Sequence, residues 1–236
     1  MDNVAVIFPT LNEEEAIREV VELVPEQVLG LETSVFIVDG GSFDSTVSYA
    51  EEAGADVIVQ HGSGKGDGMR QAIEEIDSDI YVFLDGDGTN PPEEVGKVVE
   101  PIVDGDADHV LGNRIKNREK GAFDPLNFYL NRFFSFMVSK SFGMHIKDIL
   151  TGYRALESSH ARELNLETKG FTIETELTLK SWSKGTVKEV PTTYRPRKGE
   201  SKLSIFSDGL KIAFTFLKQF YSLKLSPKLQ FSQSSS

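Results

Sequence analysis

The sequence predicts an α/β fold: a mostly parallel sheet with helices on both faces, followed by amphipathic helices at the C-terminus. Three observations predict it. Over residues 1–110, short apolar runs of strand length alternate with segments of helical periodicity. The runs are continuous rather than alternating, which is the pattern of strands buried on both faces. Several of them end in acid- and glycine-rich segments, and in such sheets ligands bind at the carboxyl ends of the strands.

The elements follow in order. Val4–Phe8 reads as a strand closed by Pro9, and Glu13–Val24 as a helix with Ala16, Ile17, Val20, Val21 and Val24 on one face and Asn12 as its N-cap. Ser34–Val38 is a strand ending in Asp39-Gly40-Gly41-Ser42. Ser45–Ala53 reads as helix, Asp56–Gln60 as strand and Gly66–Ile76 as helix. Ile80–Leu84 is a further strand, ending in Asp85-Gly86-Asp87-Gly88. Glu93–Val103 is a helix behind two prolines, and His109–Leu111 opens another strand. In the second half, Leu126–Phe142 is aromatic-heavy and interrupted by Arg132 and Lys140. Thr172–Ser183 reads as helix, and Thr186–Val190 as a strand stopping at Pro191. Residues 204–224 carry a polar stripe (Asp208, Lys211, Thr215, Lys218, Ser222) on an otherwise apolar helix. Residues 229–236 read as a disordered polar tail.

Composition narrows the function classes. A hydrophobic fraction of 39% is enough to bury a core, and the absence of cysteine excludes disulfides and thiolate metal sites. The N-terminus has no basic n-region, and no apolar run approaches the roughly 20 residues a spanning helix needs. The expected location is therefore the cytoplasm, with any membrane contact peripheral to the cytoplasmic face. The net charge of −12 is divided: residues 1–110 carry 26 acids and 4 bases, residues 111–236 carry 11 acids and 21 bases. A basic half favours an anionic partner such as phosphate, nucleic acid or anionic lipid, with a solvated lysine-rich surface as the plainer explanation.

Asp85-Gly86-Asp87 is the most informative triplet. In an extended chain residues i and i+2 point the same way, so both carboxylates can face one site and share a hard divalent cation that bridges a diphosphate. The glycine lets a bulky ligand approach. Acidic turns are common, so the placement after a strand carries the argument. In Asp39-Gly40-Gly41-Ser42 an acid can accept from a ribose or base, or the turn can simply cap the next helix through Ser42 or Asp44. The segment Gly62–Gly68 fits neither GxxxxGK[ST] nor GxGxxG; it reads as a flexible loop whose one lysine, Lys65, opens a helix near phosphate. Arg114, Arg132, Arg195, Arg197 and Lys202 can bring bidentate or point charges to phosphates at the same edge. The four histidines form no metal-spaced cluster.

Taken in order, these segments resemble the family-2 glycosyltransferases, specifically the dolichyl-phosphate hexose synthase group. The matching stretches are Phe8-Pro9-Thr10-Leu11-Asn12-Glu13, Val38–Ser42, Gly64-Lys65-Gly66, Asp85–Gly88 with Pro91-Pro92, and Gly112-Asn113-Arg114. Asp148–Arg154, Gly170-Phe171, Glu174 with Glu176, and Gly199–Leu203 follow, so the resemblance runs from residue 6 to about 203. It implies a GT-A-type, Rossmann-like catalytic domain over 1–203, with a nucleotide-sugar-binding half (1–110) and an acceptor-binding half (111–203). Residues 204–228 would be a membrane-contacting helical segment. Pro9, Thr10, Glu13, Asp39, Gly41, Lys65, Asp85, Gly86, Arg197 and Lys202 would bind the donor, a sugar nucleotide (UDP-glucose favoured, GDP-mannose the alternative). Asp85 and Asp87 would hold Mg2+ or Mn2+. Arg114, Arg132 and Ser135 would hold the phosphate of a polyprenyl or dolichyl phosphate, and no nucleic acid is expected. Asp87, Arg114 and Arg132 would be the catalytic residues.

Three departures stand out: Gly40 replaces a second acid, Thr89 replaces a glutamine two residues past Asp87, and the arginine before Gly-Glu-Ser-Lys is offset, leaving Arg195 or Arg197 for the donor. The implied pathway is lipid-linked glycan assembly for protein N-glycosylation. A lipid phosphate, largely a dianion at neutral pH, needs no protein base to attack the anomeric carbon. A soluble hydroxyl acceptor would need one, with Asp148 or Glu174 as the candidates, and a sugar-nucleotide binder without catalysis is the third possibility.

Overall fold

The computed structural model describes residues 1–199, 214–218 and 221. Its centre is an eight-stranded sheet. The strands are β1 (Asn3–Thr10), β2 (Gln27–Val28), β3 (Leu31–Asp39), β4 (Asp56–Val59), β5 (Ile80–Phe83), β6 (His109–Arg118), β7 (Arg154–Glu157) and β8 (Val187–Tyr194). They run in the order β2-β3-β1-β5-β7-β6-β8, with β4 on β3. Most pairings are parallel; β2 on β3, and β7 on both β5 and β6, are antiparallel.

Alternation along the central strands sorts the helices onto two faces. Val4, Val6 and Phe8 of β1, with Ile80 and Val82 of β5, pack against α1 (Ile17–Glu22), α2 (Thr46–Glu52) and α4 (Val95–Val103). Ala5, Ile7, Tyr81 and Phe83 point the other way, against α3 (Lys65–Glu75), α6 (Ser158–Glu163) and α7 (Ile173–Lys184). A third cluster, with Leu111, Phe134, Val138, Ile149 and Leu179, seats α5 (Pro125–Phe142) beside β6 and α7. Asp124 caps α5 by accepting from Leu126 N and Asn127 N, Pro125 occupies its first position, and Gly143 ends it at φ 69°.

The predicted class holds, and four local expectations change. Pro9 does not close β1: Ile7 O accepts from Leu84 N and Thr10 O from Gly40 N, so Pro9 faces the β5 side just beyond the end of that ladder, where a missing N–H costs nothing. Pro191 likewise lies within β8, an edge strand. The first helix begins at Ile17, not Glu13, and Asn12 is not its cap. Asn12 takes a left-handed φ of 50° and its Oδ1 accepts from Phe43 N, tying two loops together. Finally, β7 and α6 were not read from the sequence, because Arg154–Glu157 has neither an apolar run nor an alternation. Of the expected 204–224 helix, residues 214–218 are helical; the remainder, Tyr221 aside, lies outside the described residues, as does the 229–236 tail. Among the described residues no helix is long and apolar enough to cross a membrane.

Candidate active site

The carboxyl ends of β1, β3 and β5 open onto a cleft of about 570 Å3, closed on its far side by α5, the segment before β7 and the start of α7. That volume suits a small-molecule or cofactor ligand. Of the residues singled out from the sequence, Pro9, Thr10, Glu13, Lys65, Asp85, Gly86, Asp87, Arg114 and Arg197 line it.

Asp85 and Asp87 leave the end of β5 as the i, i+2 spacing requires, and their environments differ. Lys65 Nζ, at the start of α3, donates to Asp85 Oδ1 at 2.5 Å and lies 2.8 Å from Glu174 Oε1. Burial works against charge on Asp85, but Lys65, with help from Arg114 and Arg197, outweighs it and holds the carboxyl below its usual range. Asp87 goes the other way: burial and the adjacent Asp85 charge push it up, against Arg197 and Thr89. Its Oδ1 accepts from Thr89 N at 3.0 Å and Thr89 Oγ1 at 2.6 Å, and its Oδ2 from Arg197 Nη1 at 2.6 Å. Arg197 Nη2 reaches Glu13 Oε1 at 2.9 Å. Of the two arginines, Arg197 enters the cleft, whereas Arg195 pairs with Glu93 outside it.

Glycines permit this packing. A Cβ on Gly66 would stand 2.2 Å from Thr168 O, and Gly66 N donates to Lys169 O at 2.7 Å. The Gly64-Lys65-Gly66 segment is thus glycine-rich because the 168–170 backbone lies against it, which presents Lys65 to the acids. A Cβ on Gly152 would stand 2.3 Å from Asp85 Oδ2.

Arg114 leaves β6 beside the paired rings of Phe123 and Tyr194, at 5.3 and 5.0 Å from their centroids, which lie 4.6 Å apart. Its N, Nε and Nη2 all donate to Asp148, at 2.9, 2.9 and 2.8 Å, while Asn131 Nδ2 donates to the same carboxylate at 2.6 Å. Among the described residues Nη1 has no hydrogen-bond partner, and Arg114 lines the cleft. Asp148 is fully buried, and Glu189 fixes its loop by accepting from Lys147 N and Asp148 N.

Asp39, Gly41, Arg132 and Ser135 do not line the cleft. Asp39 is turned into its own loop, accepting from Gly41 N, Ser42 N and Ser42 Oγ at 3.0, 2.9 and 2.5 Å, so Gly40 rather than the acid lines the cleft. Gly41 sits at φ 93°, the conformation that turn needs. Arg132 is exposed on α5, next to the cleft-lining Asn131. Ser135 is buried beneath it, accepting from Ile149 N at 3.1 Å and donating to Asn131 Oδ1 at 3.4 Å. Lys202 lies outside the described residues. The cleft's apolar half, Phe123, Leu130, Phe134, Leu150, Phe171 and Tyr194, was not assigned to the site residues from the sequence, although the 126–142 aromatic segment, Leu150 and Phe171 lay in stretches singled out there.

Among the described residues no group of three or more histidines and acids gathers to hold a metal. The donor set that does exist, two hard carboxylates two residues apart in a cleft, fits a Mg2+- or Mn2+-type ion that completes its shell with water and substrate phosphate. Two buried polar atoms without partners among the described residues, Thr10 Oγ1 and Arg197 Nε, lie on residues lining the same cleft and are consistent with a polar ligand there.

Comparison with known proteins places this architecture. Residues 5–164 match Glycosyl transferase family 2. The chain is 37% identical to Glycosyltransferase AglJ of Haloferax volcanii, over 88% of this chain and 69% of that protein. It is 34% identical to the Dolichyl-phosphate hexose transferase of the same organism, over 92% of this chain and 93% of that one. Among solved structures, glucosyl-3-phosphoglycerate synthase of Mycobacterium tuberculosis, in complex with Mn2+, UDP-glucose and phosphoglyceric acid, superposes with a TM-score of 0.76. It is 20% identical, over 93% of this chain and 80% of that chain, and supports a shared GT-A fold.

Proposed function

Because the chain belongs to glycosyl transferase family 2, and is therefore a glycosyltransferase, we propose that it moves a hexose from UDP-glucose to a dolichyl or polyprenyl phosphate with inversion at the anomeric carbon. One observation carries this choice of acceptor. The two carboxylates that a hydroxyl acceptor would need as bases are both spent: Asp148 on Arg114 and Asn131, Glu174 on Lys65. With both of these candidates engaged, an acceptor that brings its own anion is favoured, and Arg114 stands in the cleft to receive it. The name of the dolichyl-phosphate hexose transferase relative supports the same class of acceptor.

In this reading the acceptor phosphate oxygen forms the bond to the anomeric carbon. The bond from that carbon to the nucleoside diphosphate breaks, and its electron pair leaves on the diphosphate. Arg114 binds and orients the acceptor phosphate, stacked so that its guanidinium cannot drift. Lys65 holds Asp85 and Glu174 in place and keeps the Asp85 carboxyl below its usual range. Asp85 and Asp87 would hold Mg2+ or Mn2+, which would supply charge stabilisation for the leaving diphosphate. Arg197 adds a second cation on that side.

The acceptor's hydrocarbon would meet the apolar half of the cleft, which adjoins an exposed stripe on α5: Leu126, Tyr129, Phe133 and Phe136, at 47, 69, 55 and 63% exposure. Arg132 and Lys140 lie on the same helix. Such a face would sit peripherally in the headgroup region of a membrane's cytoplasmic side, aided by residues 204–228. The product would feed lipid-linked glycan assembly for protein N-glycosylation.

The test is donor consumption with UDP-glucose or GDP-mannose, with Mg2+, with and without polyprenyl phosphate, alongside Asp87→Ala. Lipid- and metal-dependent turnover of UDP-glucose, lost in the variant, is expected. Turnover of GDP-mannose alone would replace the donor. Transfer to a soluble hydroxyl in preference to the lipid phosphate would refute the acceptor.

A further inference from the structure

Both oxygens of Asp87 already have partners among the described residues. Thr89 occupies Oδ1 through its N–H and hydroxyl, and Arg197 occupies Oδ2. Arg197 reaches that position because the segment after β8 is strapped over the β5 loop by its backbone: Arg195 N donates to Thr89 O at 2.9 Å and Lys198 N to Asp87 O at 3.1 Å. Its fork spans Asp87 and Glu13, drawing two carboxylates together across the mouth of the cleft.

The seat does not use the guanidinium fully. Arg197 Nε is buried and, among the described residues, has no hydrogen-bond partner. A guanidinium presents its Nε and Nη groups as one planar fork, and a phosphate takes two of them at once. The cations of the two acids also differ in freedom. Lys65 is 9% exposed and locked between two acids, while the Arg197 side chain is 27% exposed at the end of a strap.

We infer that Arg197 is the resident counter-charge of Asp87, and that it makes uptake of a divalent cation conditional on a nucleoside diphosphate. Without nucleotide, the cation competes with a guanidinium already on Oδ2. When a diphosphate enters, it offers Arg197 a bidentate anion in exchange, and Asp87 Oδ2 is freed. Cation and nucleotide then bind with mutual reinforcement, each raising the affinity of the other by the same factor. This rests on the donor-site reading given above.

The experiment is a Mn2+ titration by electron paramagnetic resonance on the wild type, Arg197→Met and Arg197→Lys, each alone and with UDP or GDP. Without nucleotide, Arg197→Met is expected to bind Mn2+ about tenfold tighter than wild type or more, the scale of one charge-assisted hydrogen bond removed from competition. Arg197→Lys should fall between them. UDP should tighten Mn2+ binding by a larger factor in the wild type than in Arg197→Met. A folded Arg197→Met that binds Mn2+ no tighter than wild type overturns the inference; should that variant not fold, Arg197→Lys carries the same comparison. If neither nucleotide alters Mn2+ affinity in any of the proteins, the donor-site reading fails and the conditional uptake with it, whereas the nucleotide-free comparison still decides the counter-charge role.

Discussion

Replacing Asp148 by asparagine removes the charge that Arg114 was folded around. The carboxylate is fully buried, Arg114 is 7% exposed, and four donors converge on the two oxygens. The substituted amide would keep one acceptor oxygen and leave a buried guanidinium without its counter-ion. Removing one partner of a buried pair costs about 3–5 kcal/mol. At about 2–4 °C per kcal/mol for a chain of this size, Tm should fall by about 6–20 °C. The double variant Arg114→Met/Asp148→Leu removes both charges and should recover most of that loss while remaining inactive, because the acceptor-side cation is gone. The pH dependence has a definite sign. Burial alone would raise the Asp148 carboxyl, but Arg114 outweighs it and holds it below the ordinary range. A depressed folded value contributes its stability fully above the unfolded value of about 3.9 and loses it only as pH falls through the folded one. The gap between wild type and Asp148→Asn should therefore be the same at pH 7 and pH 5, measured by thermal and urea melts. A Tm loss under about 2 °C, beneath what one kcal/mol gives, or a double variant as unstable as the single, would refute the reasoning.

Gly66→Ala places a methyl group 2.2 Å from Thr168 O, a backbone atom that cannot swing away, so it should cost about 1–3 kcal/mol in urea unfolding and weaken nucleotide binding by shifting Lys65. His109 is held well below its ordinary value by burial and by the nearby Arg154 and His160, so the folded chain binds fewer protons there than the unfolded one. Its contribution to stability should decline below about pH 6.5 with a slope approaching about 1.4 kcal/mol per pH unit, and His109→Gln should flatten that slope; parallel profiles for the two proteins would rule this out. Phe133→Ser with Phe136→Ser, both on exposed positions of α5, should abolish co-sedimentation with anionic vesicles while changing stability by no more than about 0.5 kcal/mol per site. Unchanged sedimentation would remove α5 from the membrane contact.

The frame of the fold was legible because parallel strands buried on both faces write themselves as apolar runs, and Val4–Phe8 and Ile80–Leu84 do so plainly. Asp85 and Asp87 were legible for a related reason: spacing of two in an extended chain fixes their common direction. What the sequence hides is pairing across distance. Nothing in the spacing of Arg114 and Asp148, or of Lys65 and Glu174, announces an ion pair, so Asp148 and Glu174 read equally well as bases until β6 and α3 bring their cations alongside. Asn12 misled because its side chain satisfies a neighbouring loop instead of a helix end. Strand β7 was invisible because its four residues are strand only by virtue of the slot between β5 and β6.

That slot bears on synthesis as well as on the finished enzyme. Until the ribosome has delivered β7, the strand Ile80–Phe83 has β1 on one side and, on the other, an open edge of unpaired backbone groups flanked by apolar and aromatic side chains, the kind of surface that recruits other nascent chains. The sequence brackets this edge with charge: Asp77 and Asp79 before it, Asp85 and Asp87 after it. Acidic gatekeepers flanking a sticky strand discourage stacking with its neighbours. The carboxylate pair at the mouth of the cleft would thus serve twice, keeping the young chain soluble before it ever meets a substrate.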